Sequence, residues 1–251
     1  MTGHDPRLPD LRNLRDIGGL RTTGGRRVRH RHVYRSATPA FVDEHQALVL
    51  RDALGIRTRI DLRSRVEIEE ARNEHLTAAE HDVEHLPLRA GGAWEHRPHL
   101  DDPSAAVAEH YMRYLEHSAD SITAIVRIAA DPSRAPLLVH CSAGKDRTGV
   151  SLAVLLSAVG VAHDEIVHDY ARTREDLDAM FLQLRRLPAY EERLNALPEE
   201  SLTAEPRSME LFLARLEETY GGARKYLTQH GVDDDTLERL EAGLLEDDRP
   251  A

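Results

Sequence analysis

The feature that most constrains this chain is a strand, a tight loop and a helix that follow one another around its single cysteine. The apolar run at residues 137–139 predicts a short buried strand, and the apolar stretch at residues 149–162 predicts a buried helix. Between them, Ser142, Ala143 and Gly144 are small enough for the backbone to turn with its N–H groups pointing inward. We therefore expect a loop that binds an anion and is closed by a helix N-terminus.

The residues inside this loop are those that phosphoryl transfer requires. The field that binds an anion also stabilises a thiolate, so Cys141 is the expected nucleophile. Arg147 offers a planar fork that grips two phosphate oxygens at once. We expect Thr148 to donate its hydroxyl to the sulfur and His140 to orient the loop from behind. The predicted phosphate-binding set is the whole run after the cysteine: Ser142, Ala143, Gly144, Lys145, Asp146, Arg147 and Thr148.

Two charged side chains make this loop more specific. A carboxylate in an anion pocket is useful mainly when it carries a proton, so we expect Asp146 to protonate a leaving oxygen or to share a proton with a neighbour. Lys145 is one of only two lysines in an arginine-rich chain. It is predicted to add a positive charge at the rim for a second phosphate or an acidic peptide. The alternative is a bridge from Lys145 to a local carboxylate such as Asp61.

The string HCSAGKDRTG at residues 140–149 resembles the signature loop of cysteine-dependent protein tyrosine phosphatases, HCxxGxxRTG. With a lysine and an aspartate inside, it is similar to the atypical bacterial group, which NLRDIGGL (13–20) and IDLRS (60–64) also match. The resemblance covers about residues 11–240. It implies a hydrolase without a cofactor that forms a phosphocysteine intermediate and releases inorganic phosphate. The implied substrates are phosphotyrosine proteins, phosphoserine or phosphothreonine proteins, and phosphoinositides.

The same resemblance implies supporting residues around the loop. Arg15 and Asp16 match a family motif and are expected to brace the floor of the site; the alternative is that their charges pair at the surface. Asp61 ends a predicted strand, where open α/β sheets place their ligand sites. It is expected to hold Arg147 in its phosphate-gripping geometry. Alternatively, Asp61 or Ser64 caps the next predicted helix.

Strand and helix patterns alternate along the rest of the chain, which predicts an α/β fold. We predict strands at residues 57–64 and 81–88, and helices at residues 40–54, 65–71, 105–117, 121–130 and 165–173, with Thr38 and Asp164 capping the first and last of these helices. The resemblance implies a mostly parallel, twisted central sheet flanked by helices, with a helical lid and a helical C-terminal region. We expect a flexible segment at residues 1–10, a single domain over residues 11–245, and a frayed end from residue 246.

An apolar stripe within residues 175–200 is the candidate lid. Met180, Phe181 and Leu184 lie at helical spacing and are expected to cover the pocket, as in relatives of this kind; ordinary core packing is the alternative. Such a cover would admit an aromatic ring or an acyl chain and shield a thiolate from oxidants.

The region after residue 90 lacks the Trp-Pro-Asp loop that supplies the general acid in ordinary tyrosine phosphatases. Trp94 is followed by Glu95 instead. Asp146 is the preferred acid because the signature loop fixes its distance from the phosphate. The other candidates are carboxylates of the same region: Glu95, Asp101 and Asp102. His96 and His99 are interpreted as solvated loop residues, because no second cluster with ligand spacing accompanies them, so no metal is expected.

Charge and cysteine content exclude other classes. With 33 basic against 44 acidic residues and a net charge of −11, the chain is a poor candidate for a general nucleic-acid binder. One cysteine excludes an internal disulfide, and no apolar run is long enough to span a bilayer. A cytoplasmic location is expected, with non-classical secretion as the alternative by analogy. A phosphoinositide-selective lipid phosphatase, a rhodanese-like sulfurtransferase and a non-catalytic phosphate-binding module are the competing functions.

Overall fold

The elements of the fold come from a computed structural model that describes residues 5–78, 82–92, 102–197 and 199–247. The strands are β1 Arg15–Asp16, β2 Arg26–Val28, β3 Val33–Ser36, β4 Thr58–Asp61, β5 Asp82–His85, β6 Leu137–His140 and β7 Leu245–Asp247. The helices are α1 Glu44–Leu48, α2 Arg65–Glu70, α3 Glu74–Ala78, α4 Pro103–His117, α5 Ala119–Ala129, α6 Asp146–Ala158, α7 His163–Ala171, α8 Leu177–Leu184, α9 Pro188–Ala196, α10 Pro206–Tyr220, α11 Ala223–Gln229 and α12 Asp234–Leu244.

A five-stranded sheet in the order β1–β3–β6–β4–β5 forms the centre of the molecule. Strands β3, β6, β4 and β5 are parallel, and only β1 pairs antiparallel, with β3. The predicted α/β fold with a mostly parallel central sheet flanked by helices is therefore confirmed. Because parallel strands end at a common edge, His140 of β6 lies in register with Ser36 of β3 and Asp61 of β4. The signature loop leaves the sheet at this carboxyl edge.

Strand β6 is apolar at consecutive positions because both of its faces are covered. Leu137 and Val139 belong to the main hydrophobic core, whereas Leu138 belongs to a smaller cluster on the opposite face of the sheet. Alternating side chains of a strand point to opposite faces, so a strand buried on both sides needs an unbroken apolar run. Helix α6 is buried along almost its whole length and packs against β6 inside the main core.

Several local predictions were wrong, each for a structural reason. Helix α6 begins at Asp146 rather than at residue 149, because Gly149 N–H already bonds to Lys145 O. Asp164 does not cap α7, whose N-cap is Ala162 without a side-chain bond. Thr38 precedes only a short 3₁₀ turn, Pro39–Phe41, and its side chain caps nothing. The helix after it is broken in two, α1 and a π-helical turn over Val49–Ala53.

Both ends of the described chain are packed more than the composition indicated. Leu8 is completely buried in the smaller apolar cluster, and Asp10 accepts a bond from Gln46, so residues 5–10 are not an unordered lead-in. At the other end, β7 pairs antiparallel with β2, and Glu246 lies opposite Arg27. The expected fraying therefore does not include Glu246 and Asp247, which are held by a strand far away in the sequence. No helix within the described ranges is long and apolar enough to cross a membrane.

Candidate active site

The signature loop is held by bonds to its carbonyl oxygens. Thr38 N–H donates to Ser142 O at 2.9 Å, and Asn13 Nδ2 donates to Ala143 O and to Gly144 O, each at 3.0 Å. In a planar trans peptide the C=O and the following N–H point in opposite directions. Tying these carbonyls to the outside therefore turns the next amides inward. Gly144 N–H accordingly points to Cys141 Sγ at 3.2 Å.

His140 contacts the carbonyl oxygen of Cys141, which precedes the three bonded carbonyls of the loop. Its Nε2 faces Arg59 Nη1 at 3.1 Å, and its Nδ1 faces Cys141 O at 3.3 Å. Because the guanidinium can only donate, Nε2 accepts and Nδ1 carries the hydrogen. Burial lowers the pKa of His140 to about 3, so the ring is neutral at physiological pH. This placement agrees with the predicted orienting position behind the loop.

Behind the loop lies a buried ion cluster that the sequence did not reveal. Asp169 of α7 accepts from Arg15 Nε at 2.7 Å and from Arg35 Nη1 at 2.6 Å, and all three side chains are almost fully buried. Arg35 Nη2 also donates to Gly144 O at 2.6 Å, while Arg15 Nη1 bonds to Asn13 Oδ1. Burial alone would raise the pKa of Asp169, but the two guanidinium groups hold it well below its ordinary value.

Gly144 is required by the closeness of this packing. Its φ is +64°, in the left-handed region, and an added Cβ would lie 2.2 Å from Ser36 O. Asn13 also has a positive φ, +56°, which asparagine tolerates better than most residues. Asn13 stands in the NLRDIGGL string, but its role depends on contacts with residues about 130 positions away, so the sequence alone did not identify it.

Arg147 pairs with Glu67 rather than with Asp61. Arg147 Nη1 donates to Glu67 Oε2 and Nη2 to Oε1, both at 2.8 Å, and Nη2 lies 3.0 Å from Ser142 Oγ. Burial alone would raise the pKa of Glu67, yet Arg147 holds it well below its ordinary value. The pocket of this protein thus contains a guanidinium that Glu67 aligns, and its Nε has no hydrogen-bond partner within the described part of the chain.

The expectation that Asp61 holds Arg147 was wrong. Asp61 forms a two-point ion pair with Arg63, with Oδ2 at 2.7 Å from Nη2, and it lies 3.6 Å from Arg59 and from His140. Its side chain also accepts from Arg63 N–H at 3.0 Å. Ser64, not Asp61, caps α2, in a capping box with Glu67. The S-x-x-E pattern was the available signal for Glu67, although it indicates a helix start and not a partner for Arg147.

We expect Glu67→Gln to lower kcat/KM of the phosphatase activity proposed below by roughly 10- to 100-fold, since Arg147 loses its charged alignment. Glutamine still completes a capping box, but Arg147 loses the counter-charge of a largely buried ion pair, so the unfolding temperature should fall by a few degrees. The measurement is steady-state kinetics with a phosphotyrosine peptide, beside thermal unfolding. Glu69→Gln, an exposed position of the same helix, is the matched control. Equal activity of Glu67→Gln and wild type would contradict the alignment role.

Asp146 begins helix α6 and lines the pocket. Its Oδ1 accepts from Tyr111 Oη at 2.6 Å, and Lys145 Nζ lies 3.2 Å from the same oxygen. Lys145 is only 1 % exposed, and its ammonium donates to the carbonyls of Ser201 and Thr203. The predicted rim position for Lys145 is therefore wrong, as is the alternative bridge to Asp61. Its carboxylate partner is Asp146.

Two further predicted roles fail. Thr148 Oγ1 is buried without a hydrogen-bond partner in the described structure, so it does not donate to the sulfur. Asp16 accepts from Gly18 N–H at 2.9 Å and Arg31 N–H at 2.8 Å, on the outer side of the sheet, and takes no part in bracing the loop. Of the two predicted bracing residues, only Arg15 lies behind the loop, where it acts through Asp169.

A pocket of about 750 Å³ opens above Cys141. The floor of the pocket is the signature loop, with Cys141 and Arg147 among its lining. Tyr114 of α4 also lines the pocket. Helices α8 and α9, with the residue that follows α9, contribute Phe181, Leu184, Tyr190, Leu194 and Leu197 to the lining. Phe181 and Leu184 therefore line the pocket, as the predicted lid requires, whereas Met180 is not among its lining residues. Both Met180 and Leu184 also belong to the main core.

Tyr190 is a pocket residue that the sequence did not single out. Its hydroxyl lies 3.0 Å from Ser142 Oγ, which in turn donates to Glu67 Oε1 at 2.6 Å. Burial raises the pKa of Tyr190, so the phenol remains protonated at neutral pH. A single tyrosine of α9 thereby joins this helix to the residue next to the cysteine.

Of the other candidates for the general acid, Asp102 is bonded to other residues, and Glu95 and Asp101 are not among the described residues. Asp102 caps α4 by accepting from Ser104 N–H at 2.9 Å and pairs with Arg207 at the surface, so it does not face the pocket. Glu95, Asp101, His96 and His99 lie outside the described residues. Within the described ranges, no three His, Cys, Asp or Glu side chains are grouped to hold a metal ion.

Comparison with known proteins places this chain among phosphatases. The model of the tyrosine phosphatase family matches residues 6–246. A Cupriavidus necator protein named as a tyrosine-protein phosphatase is 35 % identical over 184 residues, which cover 68 % of this chain and 64 % of that protein. A tyrosine-protein phosphatase of Nostoc commune is 28 % identical over 204 residues, covering 76 % of this chain and 67 % of its own length.

The triple specificity protein phosphatase PtpB of Mycobacterium tuberculosis is 32 % identical over 121 residues, with 44 % of each chain covered. This chain therefore spans under two thirds of the Cupriavidus protein and under half of the mycobacterial one. The family match nevertheless extends over nearly the entire chain and includes both the signature loop and its supporting residues. The resemblance seen in the sequence is thus confirmed, and the chain belongs to the tyrosine phosphatase family.

Proposed function

We propose that this protein hydrolyses phosphomonoesters through a phosphocysteine intermediate, with phosphotyrosine proteins as its main substrates. The observation that carries the proposal is that three consecutive loop carbonyls, those of Ser142, Ala143 and Gly144, are bonded outside the loop while Gly144 N–H points to the sulfur of Cys141. Inward amides beside a helix N-terminus supply the fixed partial charges that a thiolate and a phosphoryl group need. Such a cradle needs no metal to hold the equatorial oxygens.

The proposed reaction has two steps. In the first, Cys141 Sγ attacks phosphorus in line, the S–P bond forms, the P–O bond breaks, and Asp146 gives its proton to the leaving oxygen. Arg147 and the loop amides carry the charge of the transferring group, and Glu67 keeps the guanidinium aligned. In the second, water attacks phosphorus, the S–P bond breaks and Asp146 takes up a proton. Inorganic phosphate is the product.

The choice of phosphotyrosine rests on the walls of the pocket. They are lined largely by apolar and aromatic side chains from α8, α9 and α4, which fit a flat phenyl ring above the cysteine. The name of the mycobacterial relative indicates three substrate classes for that protein. By that likeness we propose phosphoserine or phosphothreonine peptides and phosphoinositides as slower substrates here. The buried Lys145 offers no free charge for a second phosphate, which disfavours a phosphoinositide as the main substrate.

The test measures phosphate release from three substrates side by side: a phosphotyrosine peptide, the same peptide with phosphoserine, and a dispersed phosphatidylinositol monophosphate. We expect the phosphotyrosine peptide to be hydrolysed fastest. Because Cys141 is the single cysteine, iodoacetate can alkylate only this thiol, and inorganic phosphate should slow that alkylation together with the loss of activity.

Other results would assign the competing functions. No phosphate release from any of the three substrates by reduced, folded protein would contradict the enzymatic proposal. Tight phosphopeptide binding without release would favour a binding module, and sulfur transfer from thiosulfate would favour the sulfurtransferase. Fastest release from the phosphatidylinositol phosphate would identify a lipid phosphatase.

A further inference from the structure

Two buried tyrosines form a hydrogen-bonded chain that ends on the carboxyl group of Asp146. Tyr111 of α4 donates to Asp146 Oδ1 at 2.6 Å, and the hydroxyl of Tyr170 of α7 lies 2.8 Å from that of Tyr111. A phenol has one hydrogen to donate. Since Tyr111 donates its hydroxyl hydrogen to Asp146, Tyr170 must be the donor in its bond to Tyr111. The chain therefore runs in one direction, from α7 through α4 to the first residue of α6.

The two carboxyl oxygens of Asp146 are not equivalent. Oδ1 accepts from Tyr111 and also lies 3.2 Å from the ammonium of Lys145. A proton on that oxygen would compete with the hydrogen that Tyr111 donates and would lie next to the positive charge of the ammonium. Oδ2 has no bond to any described residue. The proton of the acid is therefore carried by Oδ2, on a side chain that lines the pocket.

Tyr111 is itself held firmly. Its ring is fully buried and meets Tyr170 and Phe212 edge to face, with ring centroids 6.2 and 5.9 Å apart. Burial raises the pKa of Tyr111 well above its ordinary value, so its hydroxyl stays protonated and remains a donor. A rigid ring in a packed core fixes the position of its hydroxyl closely.

We propose that Tyr111 is a positioning residue for the general acid, which holds Asp146 so that Oδ2 faces the leaving oxygen of the substrate. This inference rests on the proposed function. Tyr111 keeps its own proton throughout. The proton moves from Oδ2 to the leaving oxygen as the P–O bond breaks, and Oδ2 regains it from the water that later cleaves the S–P bond. Without the tyrosine hydroxyl, the carboxyl group can rotate and present the wrong oxygen.

The test compares two aryl phosphates with opposite needs for an acid. Phenyl phosphate has a poor leaving group that needs a proton, whereas 2,4-dinitrophenyl phosphate departs as a stable anion. For Tyr111→Phe we expect kcat/KM on phenyl phosphate to fall about 10- to 100-fold, with kcat/KM on the dinitrophenyl ester within about 3-fold of wild type. The ratio kcat/KM is the measurement because it reports only the formation of the phosphocysteine, whereas kcat also contains its hydrolysis, which is common to both esters. Asp146→Asn is the reference variant, and its kcat/KM on phenyl phosphate should fall further than that of Tyr111→Phe, with little change on the dinitrophenyl ester.

Matched variants separate positioning from general damage. Tyr226→Phe removes another buried tyrosine hydroxyl bonded to α4, at 2.9 Å from Leu115 O, and should leave the ratio of the two kcat/KM values unchanged. Tyr170→Phe removes only the donor to Tyr111, so a smaller loss with the same selectivity is expected. It decides the matter if Tyr111→Phe does not fold.

Equal losses on both esters, or no loss on either, would overturn the inference for Tyr111. Suppose that Asp146→Asn loses more activity on phenyl phosphate than on the dinitrophenyl ester, and that Tyr111→Phe does not. Then only the positioning role of Tyr111 fails, and the proposed function stands. Full phosphatase activity in Cys141→Ser would instead remove the proposed function itself. If Asp146→Asn lost the same activity on both esters, another group would be the acid. The role of Tyr111 in positioning Asp146 would then be wrong as well.

Discussion

Replacing Cys141 with serine is expected to lower kcat on a phosphotyrosine peptide by roughly 10⁴- to 10⁶-fold, since the nucleophile is lost. The serine hydroxyl has nearly the same shape but does not ionise at neutral pH, so the loop amides gain nothing from an anion at this position. Phosphate release by purified wild type and variant is the measurement. Among the described residues, the sulfur accepts one hydrogen bond, from Gly144 N–H, and the hydroxyl of serine can accept the same bond. Folding should therefore be retained.

Substrate binding provides the control for this prediction. Cys141→Ser should still bind the phosphotyrosine peptide, because Arg147 and the loop amides remain, and titration calorimetry would measure that affinity. A variant that neither binds nor turns over would indicate a collapsed loop. A variant that keeps more than about 1 % of wild-type kcat would contradict the role of Cys141 as nucleophile.

Asp169→Asn is expected to lower the free energy of unfolding by about 3 kcal/mol, because it leaves two buried guanidinium groups, those of Arg15 and Arg35, without a counter-charge. For a chain of this size the unfolding temperature should fall by roughly 10 °C. Thermal unfolding followed by circular dichroism is the measurement. Asp235→Asn is the matched control, since Asp235 pairs with Arg239 at the surface, and its unfolding temperature should equal that of wild type.

The loss in Asp169→Asn should depend on pH. The pKa of Asp169 is held below its ordinary value in the folded protein, so its ionised form contributes stability above the unfolded pKa, near 4. That contribution disappears as pH falls toward the folded pKa. The difference in stability between wild type and variant should thus be largest above about pH 5 and shrink below about pH 4. A difference that is constant over this range would mean that the charge of Asp169 does not carry the effect.

The chemistry of the site could be predicted because it is local in the sequence. Cys141, Asp146 and Arg147 stand within one short strand–loop–helix motif, and a loop so short has few ways to turn. Strand β6 was recognisable for the same reason, as a short run of apolar residues. Helix starts were less predictable. The backbone hydrogen bonds of α6 begin inside the signature motif, so its first turn includes Asp146, and no capping side chain marks this start in the sequence.

The partners of these residues could not be predicted, because each comes from a distant part of the chain. Glu67, not Asp61, holds Arg147, and both stand near the end of β4, so the choice depends on which carboxylate the turn into α2 directs toward the loop. Asp169 joins Arg15 and Arg35 from more than 130 positions away. In a chain with many arginines and acidic residues, composition gives no preference for any one of these pairs.

By itself, the sequence determined the family and led to the proposed nucleophile and the proposed phosphate-binding loop, since local spacing and backbone stereochemistry are enough to predict an anion cradle. Only the tertiary structure decided how that cradle is held open and what stands around it. Asn13, Arg35 and Thr38 tie the carbonyls back, Lys145 is buried rather than free, and Tyr111 lies against Asp146. These outcomes depend on burial. A charged group or a hydroxyl group that folding removes from water needs a specific partner inside the protein, and only the tertiary structure decides which partner is within reach.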